Sequence, residues 1–335
     1  MKQQKSLQQI AVLGDGGWGT TLAIHLAKKG YSVKLWGAFP TYAKQVSATR
    51  ENKKFLPEIT IPQSVAITGD LSFALSGASV IVLAIPSQYT RSIVQRLRNF
   101  DLSGKALLSV TKGIEISTLK RISQIIHEEL GAVNLAVLSG PTIAREVALG
   151  IPTTAVIASK NMVIAKKLQK IFNSNSFRIY TNTDVVGTEL GGSVKNVIAI
   201  ACGICDGLGF GSNAKAAILT RGLAEMARLG IALGAQAKTF SGLTGLGDLA
   251  TTCFSPESRN RRVGEKLGEG KTIKQILAST NMIAEGISNA KAVFLLSKKN
   301  KIDMPITSQV YSIIYQKKNV RKAVTDLMQR TLKSE

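Results

Sequence analysis

Up to about residue 180 the chain alternates short apolar runs with longer stretches in which apolar positions recur every three or four residues. The runs Ile10–Leu13, Ser32–Trp36, Val65–Thr68, Val80–Ile85, Ala106–Val110, Leu135–Leu138, Thr153–Ile157 and Phe177–Tyr180 predict strands. Several are rich in Val, Ile and Leu without polar alternation, which predicts strands covered on both faces. Between most of them lie helix-length segments: Thr20–Lys29, Gln88–Arg98, Leu119–Leu130 and Met162–Ile171. That rhythm predicts βαβ units and a mainly parallel sheet. After Tyr180 it stops. From Val185 onward the pattern is helical, broken by the glycine-rich turns DGLGFG (206–211) and GLTGLGD (242–248). The expected organisation is an α/β domain over residues 1–185 and an all-helical domain over 186–335, with no internal repeat and no low-complexity segment.

Length and composition agree. At 335 residues two domains are the default, and 44% hydrophobic with 19% charged residues describes a globular chain. Apolar runs such as ASVIVLAIP (78–86) are too short to cross a bilayer, and the opening MKQQKSLQQ lacks the apolar core of a secretory signal. Three cysteines, Cys202, Cys205 and Cys253, make no disulfide framework, so the expected location is the cytoplasm. Cys202 and Cys205 resemble a redox or zinc pair, but they fall within a helical pattern, without a second ligand pair, in a chain with two histidines; they read as small packing residues. The net charge of +22 raises the question of an anionic partner. The lysines are scattered in pairs such as Lys28-Lys29 and Lys166-Lys167, with no aromatic interleaving, so no nucleic-acid partner is expected.

The stretch IAVLGDGGWGTTLAIHLAKKG (10–30) places Gly14, Gly16 and Gly19 in G-x-G-x-x-G spacing between an apolar strand and a helix that ends at Gly30. That context makes the spacing a dinucleotide-binding fingerprint and the domain Rossmann-type. Gly14 allows the tight turn, Gly16 lets backbone approach a pyrophosphate, and Gly19 lets helix and strand pack closely. The helix N-terminus offers unpaired amides to the pyrophosphate. The acid expected about 20 positions on, to bind the adenine ribose, is missing: no Asp or Glu lies between Asp15 and Glu51. Strict NAD preference is therefore not expected.

GGSVKNVIAIACG (191–203) carries one charge, Lys195, in a helix that is apolar nearly all round. Lysine is almost never buried without a partner. Gly191, Gly192 and Ala199 stand one turn away and are expected to leave room for ligands. A positioned ammonium can stabilise and protonate an alkoxide, and burial lowers a lysine's pKa.

Ten ordered segments resemble bacterial NAD(P)-dependent glycerol-3-phosphate dehydrogenases: GDGGWG (14–19), LWG (35–37), TKGIE (111–115), SGPTIAREV (139–147), GGSVKNVIAI (191–200), GLGFG (207–211), TRGLAEMARLG (220–230), GLTGLGDL (242–249), ESRNRR (257–262) and AEG (284–286). The resemblance implies reversible hydride transfer between NAD(P)H and dihydroxyacetone phosphate, giving sn-glycerol 3-phosphate for phospholipid synthesis. It makes Lys195 the catalytic acid/base and places Lys112, Gly140, Thr142, Lys195, Asp248, Ser258, Arg259 and Asn260 against a small phosphorylated substrate. It assigns Gly14, Gly16, Gly17, Trp18, Gly19, Ala38, Lys112, Ala144, Arg259, Ile283 and Glu285 to the cofactor, NADP or NAD, and a homodimer is expected. No metal site is expected. Ser255 and Pro256 read as the N-cap and first position of a helix whose opening turns carry Ser258, Arg259 and Asn260 as a phosphate cradle.

Family members often carry a basic residue directly after LWG, where this chain has Ala38, so the expectation is use of both cofactors with NADPH modestly preferred. Lys34, Lys44 and Arg50 stand near enough in sequence to compensate. Two rival readings remain at this point. A β-hydroxyacid dehydrogenase shares the two-domain plan, but typically carries Asn four residues after the lysine, where this chain has Ala199. A binding protein that uses the fold without chemistry leaves a buried lysine unexplained.

Overall fold

The computed structural model describes residues 8–279, 284–332 and 334. They group into two compact units, one of Met1–Thr111 with Ile122–Val185, the other of Lys112–Arg121 with Val186–Glu335. Lys112–Arg121, which sequence analysis placed within the first domain, thus belongs with the helices. Ile114 carries it there: its side chain is fully buried in the helical core, and its backbone pairs with Arg121 in an isolated antiparallel bridge.

All eight expected strands form. In chain order the strands are β1 (Gln9–Leu13), β2 (Ser32–Trp36), β3 (Glu51–Asn52), β4 (Leu56–Thr60), β5 (Val65–Thr68), β6 (Ala78–Leu83), β7 (Ala106–Ser109), β8 (Asn134–Ser139), β9 (Thr153–Ala158) and β10 (Phe177–Asn182). The main sheet runs β10-β9-β8-β7-β6-β1-β2-β5. Its six strands from β5 to β8 are all parallel, in the doubly wound arrangement whose strand order reverses between β1 and β6. β9 turns antiparallel to β8, and β10 returns parallel to β9. The unalternating apolar runs are explained by the cores on either side. Ile10, Val12, Val80 and Val82 enter one cluster, while Ala11, Leu13, Ile81 and Leu83 enter another. The antiparallel pair β3–β4 was not anticipated; its charged, proline-containing segment ENKKFLPEIT carries little strand signal.

Among the described residues of the second unit every regular element is helical. Its axis is the 23-residue helix Val185–Gly207, long and apolar enough by composition to cross a membrane but buried within the unit. That length is not visible in its unbroken apolar runs, which are short; burial of Gly187–Cys205 marks the helix as a core element. Gly191 proves to be a packing residue, not room for a ligand, because a methyl there would collide with the Thr244 carbonyl. The turn holding that carbonyl, Leu243–Gly247, is π-helical and runs into the helix Asp248–Phe254. Such wide turns recur at functional sites.

Candidate active site

In the helical unit, three residues far apart in sequence meet around one carboxylate. Lys195 Nζ donates to Asp248 Oδ1 at 2.9 Å and to Thr252 Oγ1 at 2.7 Å. Lys112 Nζ donates to Asp248 Oδ2 at 2.7 Å. Asp248 is 1% exposed and Lys195 7%, so both charges sit out of water, as a lysine in an apolar helix requires of its partner. The glycine-rich π turn delivers Asp248 to Lys195, and Thr252, one helical turn beyond, closes the triangle by donating to the Asp248 carbonyl. Burial acts to raise the Asp248 pKa, but the ammonium groups of Lys112 and Lys195 outweigh it and hold the carboxyl below its usual range. Burial also pushes the Lys112 ammonium down to about 8, with Asp248 opposing and Lys195 adding to the shift.

A chain of asparagines anchors Lys112. Asn196 Nδ2 and Asn289 Nδ2 both donate to the Lys112 carbonyl at 3.3 Å, and Asn289 Oδ1 accepts from the Ile114 amide. Asn260 Nδ2 donates to Asn196 Oδ1 at 2.8 Å, and Asn260 Oδ1 accepts from the Gly286 amide at 2.9 Å. No role for Asn196, Thr252 or Asn289 was expected from the sequence. Thr252 had a detectable signal, standing four residues after Asp248 on the same helical face.

The expected phosphate cradle is rearranged. Ser255 ends the preceding helix, and the N-cap is Ser258, whose Oγ accepts from the Arg261 amide at 3.2 Å. Pro256 thus lies outside the helix Arg259–Gly268, since the extended backbone at Ser255 breaks the run. Ser258 and Asn260 are buried and already bonded, while Arg259 is exposed at the helix's first position. Glu285, which opens the helix Glu285–Lys299, favours the Arg259 charge electrostatically. Ile283 lies outside the described residues.

In the sheet unit, Gly14 has φ of +115° and its amide donates to the Trp36 carbonyl at 2.9 Å, tying the turn to the end of β2. Only glycine tolerates that backbone, and a methyl on Gly19 would collide with the Gly14 carbonyl. Gly16 N-caps the helix Gly17–Lys28 without a side-chain cap, and a methyl built on it would meet nothing within 4 Å. That open cradle at a helix N-terminus fits a pyrophosphate. Two buried polar atoms of the loop, Asp15 Oδ2 and Trp18 Nε1, have no hydrogen-bond partner among the described residues, as expected where a polar ligand completes the site. Gly140 has φ of +135° after β8, Thr142 Oγ1 donates to its carbonyl at 3.1 Å, and Ala144 opens the helix Ala144–Leu149. Ala38 follows Gly37, the residue directly after β2.

A doubly wound sheet with this glycine loop, joined in one chain to a buried lysine held by a carboxylate, defines a dinucleotide-dependent oxidoreductase. The family described as NAD-dependent glycerol-3-phosphate dehydrogenase matches with its N-terminal part over residues 9–165 and its C-terminal part over 184–325, and the chain belongs to that family. The glycerol-3-phosphate dehydrogenase [NAD(P)+] of Chlorobium phaeobacteroides is 50% identical over 330 residues, 98% of this chain and 99% of the relative. That of Prosthecochloris aestuarii is 50% identical over 329 residues, 97% of this chain and 99% of the relative. The crystal structure of glycerol-3-phosphate dehydrogenase from Coxiella burnetii is similar with a TM-score of 0.94 at 39% identity, covering 97% of this chain and 99% of that one.

Proposed function

We propose that the chain catalyses reversible hydride transfer between NAD(P)H and dihydroxyacetone phosphate, giving sn-glycerol 3-phosphate for phospholipid synthesis. The observation that carries this reading is the Asp248 carboxylate shared by Lys195 and Lys112. A bound nicotinamide would supply the hydride; as it adds to the ketone carbon, the carbonyl oxygen would become an alkoxide. The Lys195 ammonium, oriented by Asp248 and Thr252, then gives its proton to the alkoxide oxygen; in the reverse direction the neutral amine takes the hydroxyl proton. Lys112 adds a second positive charge beside the developing oxyanion. Arg259, at the first turn of its helix, takes the substrate phosphate, with Ser258 and Asn260 shaping that turn. Asn260's amide already serves the Asn196–Gly286 bridge, so the guanidinium carries most of the charge recognition.

In this reading residues 1–185 bind the dinucleotide: Gly14, Gly16, Gly17, Trp18 and Gly19 seat the pyrophosphate, with Ala38 and Ala144 beside them. Residues 186–335, with Lys112, bind the substrate; Gly140 and Thr142 are read as further substrate residues and Glu285 as a cofactor residue. The enzyme acts in the cytoplasm as a homodimer, which light scattering coupled to gel filtration tests. The activity is tested by following NADPH and NADH absorbance with dihydroxyacetone phosphate present. Oxidation well above background supports the reading; none, where the cofactor binds, overturns it.

A further inference from the structure

No acid follows β2 directly in the sequence to meet the adenine ribose. The structure brings one there from another strand. Asp15, in the glycine loop after β1, lays its carboxylate over the backbone of Gly37: a methyl built on Gly37 would sit 2.7 Å from Asp15 Cγ. Gly37 is the residue directly after β2, where doubly wound dinucleotide sites ordinarily present the ribose-binding acid. The Asp15 backbone that presents it is held in place. Asn52 Nδ2 donates to the Asp15 carbonyl at 2.7 Å and to Thr20 Oγ1 at 2.8 Å, and the Tyr42 hydroxyl donates to Asn52 Oδ1 at 2.7 Å.

Asp15 is 8% exposed, yet its Oδ2 has no hydrogen-bond partner among the described residues. A buried acceptor without a donor is costly unless a ligand supplies one. Burial accordingly pushes the Asp15 pKa up, with its own backbone amide and Lys54 opposing. Two of the three cations expected to attract a 2′-phosphate are also committed elsewhere. Lys34 Nζ donates to the Phe73 carbonyl at 2.8 Å and to Ser76, and the Arg50 guanidinium donates to the carbonyls of Ile61, Pro62 and Val65.

We propose that Asp15 is the residue that sets cofactor choice: its Oδ2 accepts a hydrogen bond from the ribose 2′-hydroxyl of NAD(H) and repels the 2′-phosphate of NADP(H). The proposal rests on the assignment of the glycine loop to dinucleotide binding, and it reverses the modest NADPH preference expected from sequence. It also explains why Ala38 is tolerated, since the charge that decides the choice comes from the loop below it.

The test is equilibrium binding of NADH and NADPH, by isothermal titration calorimetry, to the full-length wild type, Asp15→Asn and Asp15→Ala. Wild type is expected to bind NADH about 10-fold or more tightly than NADPH, the range of a single charge-assisted hydrogen bond. Asp15→Asn keeps an acceptor and loses the charge, so it should tighten NADPH about 10-fold with little change for NADH. Asp15→Ala loses the acceptor too and should weaken NADH. The ratio of the two dissociation constants within one preparation does not depend on the fraction folded. A wild type that prefers NADPH, or a ratio unmoved within threefold in both variants, overturns the proposal. If wild type binds neither nucleotide, the loop's assignment fails and the proposal with it.

Discussion

Lys112 and Lys195 hold opposite oxygens of the Asp248 carboxylate, at 2.7 and 2.9 Å, so two cations share one buried anion. Removing that anion takes a carboxylate partner from each of two ammonium groups. Asp248→Asn should therefore cost about 3–5 kcal/mol of stability in urea unfolding, as for other broken buried pairs. Adding Lys112→Met should recover part of the loss, because one of the two cations that shared the carboxylate goes with it. A loss under about 1 kcal/mol for the single variant would show that water reaches the site.

Lys195→Ala should abolish most turnover while leaving NADH and NADPH binding intact, because the ammonium acts on charge that develops at the substrate. A fall in kcat of about 10²- to 10⁴-fold is the usual range for a positioned acid/base. Turnover within a few-fold of wild type would assign the proton transfer to another group.

The Lys112 ammonium, brought by burial to about 8, loses its proton as pH rises through that value. The second positive charge beside Asp248 then disappears, so kcat/KM for ketone reduction should fall on the alkaline side of about pH 8. Lys112→Arg keeps its charge over that range and should extend the plateau upward, whatever it costs in absolute rate. An alkaline limb at the same pH in both proteins would mean that Lys112 does not set it.

Arg259→Ala should raise KM for dihydroxyacetone phosphate by roughly 10-fold or more with a smaller change in kcat, since a charge-assisted phosphate contact is lost. Unphosphorylated dihydroxyacetone should be a poor substrate for wild type and suffer less from the substitution. Equal losses on both substrates would take Arg259 away from the phosphate.

Glu225 links two helices: its carboxylate accepts from the amides of Ile306 and Thr307 and from the Thr307 hydroxyl, at the start of the helix Pro305–Gln316. Burial raises its pKa from 4.5 to about 7 against those bonds. Between those values the folded state holds more proton than the unfolded one, so this group's contribution to stability falls as pH rises from 4.5 to about 7. Glu225→Gln should flatten that part of the stability-against-pH curve. An unchanged slope in thermal melts across the window would show that Glu225 stays ionised throughout it.

Residue order alone was enough for the sheet and the glycine turn, because both rest on neighbours in the chain. Two-sided burial writes unbroken apolar runs into β1 and β6, and the αL-like backbone at Gly14 admits only glycine. Lys195 stood out for the same reason, as a charge in a helix with no polar face. Its partners were not legible in the residue pattern: Lys112 and Asp248 entered only through the family resemblance and Thr252 not at all, since packing alone brings Lys112 and the helix carrying Asp248 and Thr252 to it. Gly191 shows how local reading misleads: a missing side chain looks like room for a ligand until a neighbouring carbonyl is found in the space. The ribose acid was sought at the end of β2 because the usual pattern is sequential, whereas Asp15 reaches Gly37 through the pairing of β1 with β2. Periodicity is set by contacts within one turn or one strand, and side-chain partnership by which surfaces of distant segments pack, so only tertiary structure decides the second.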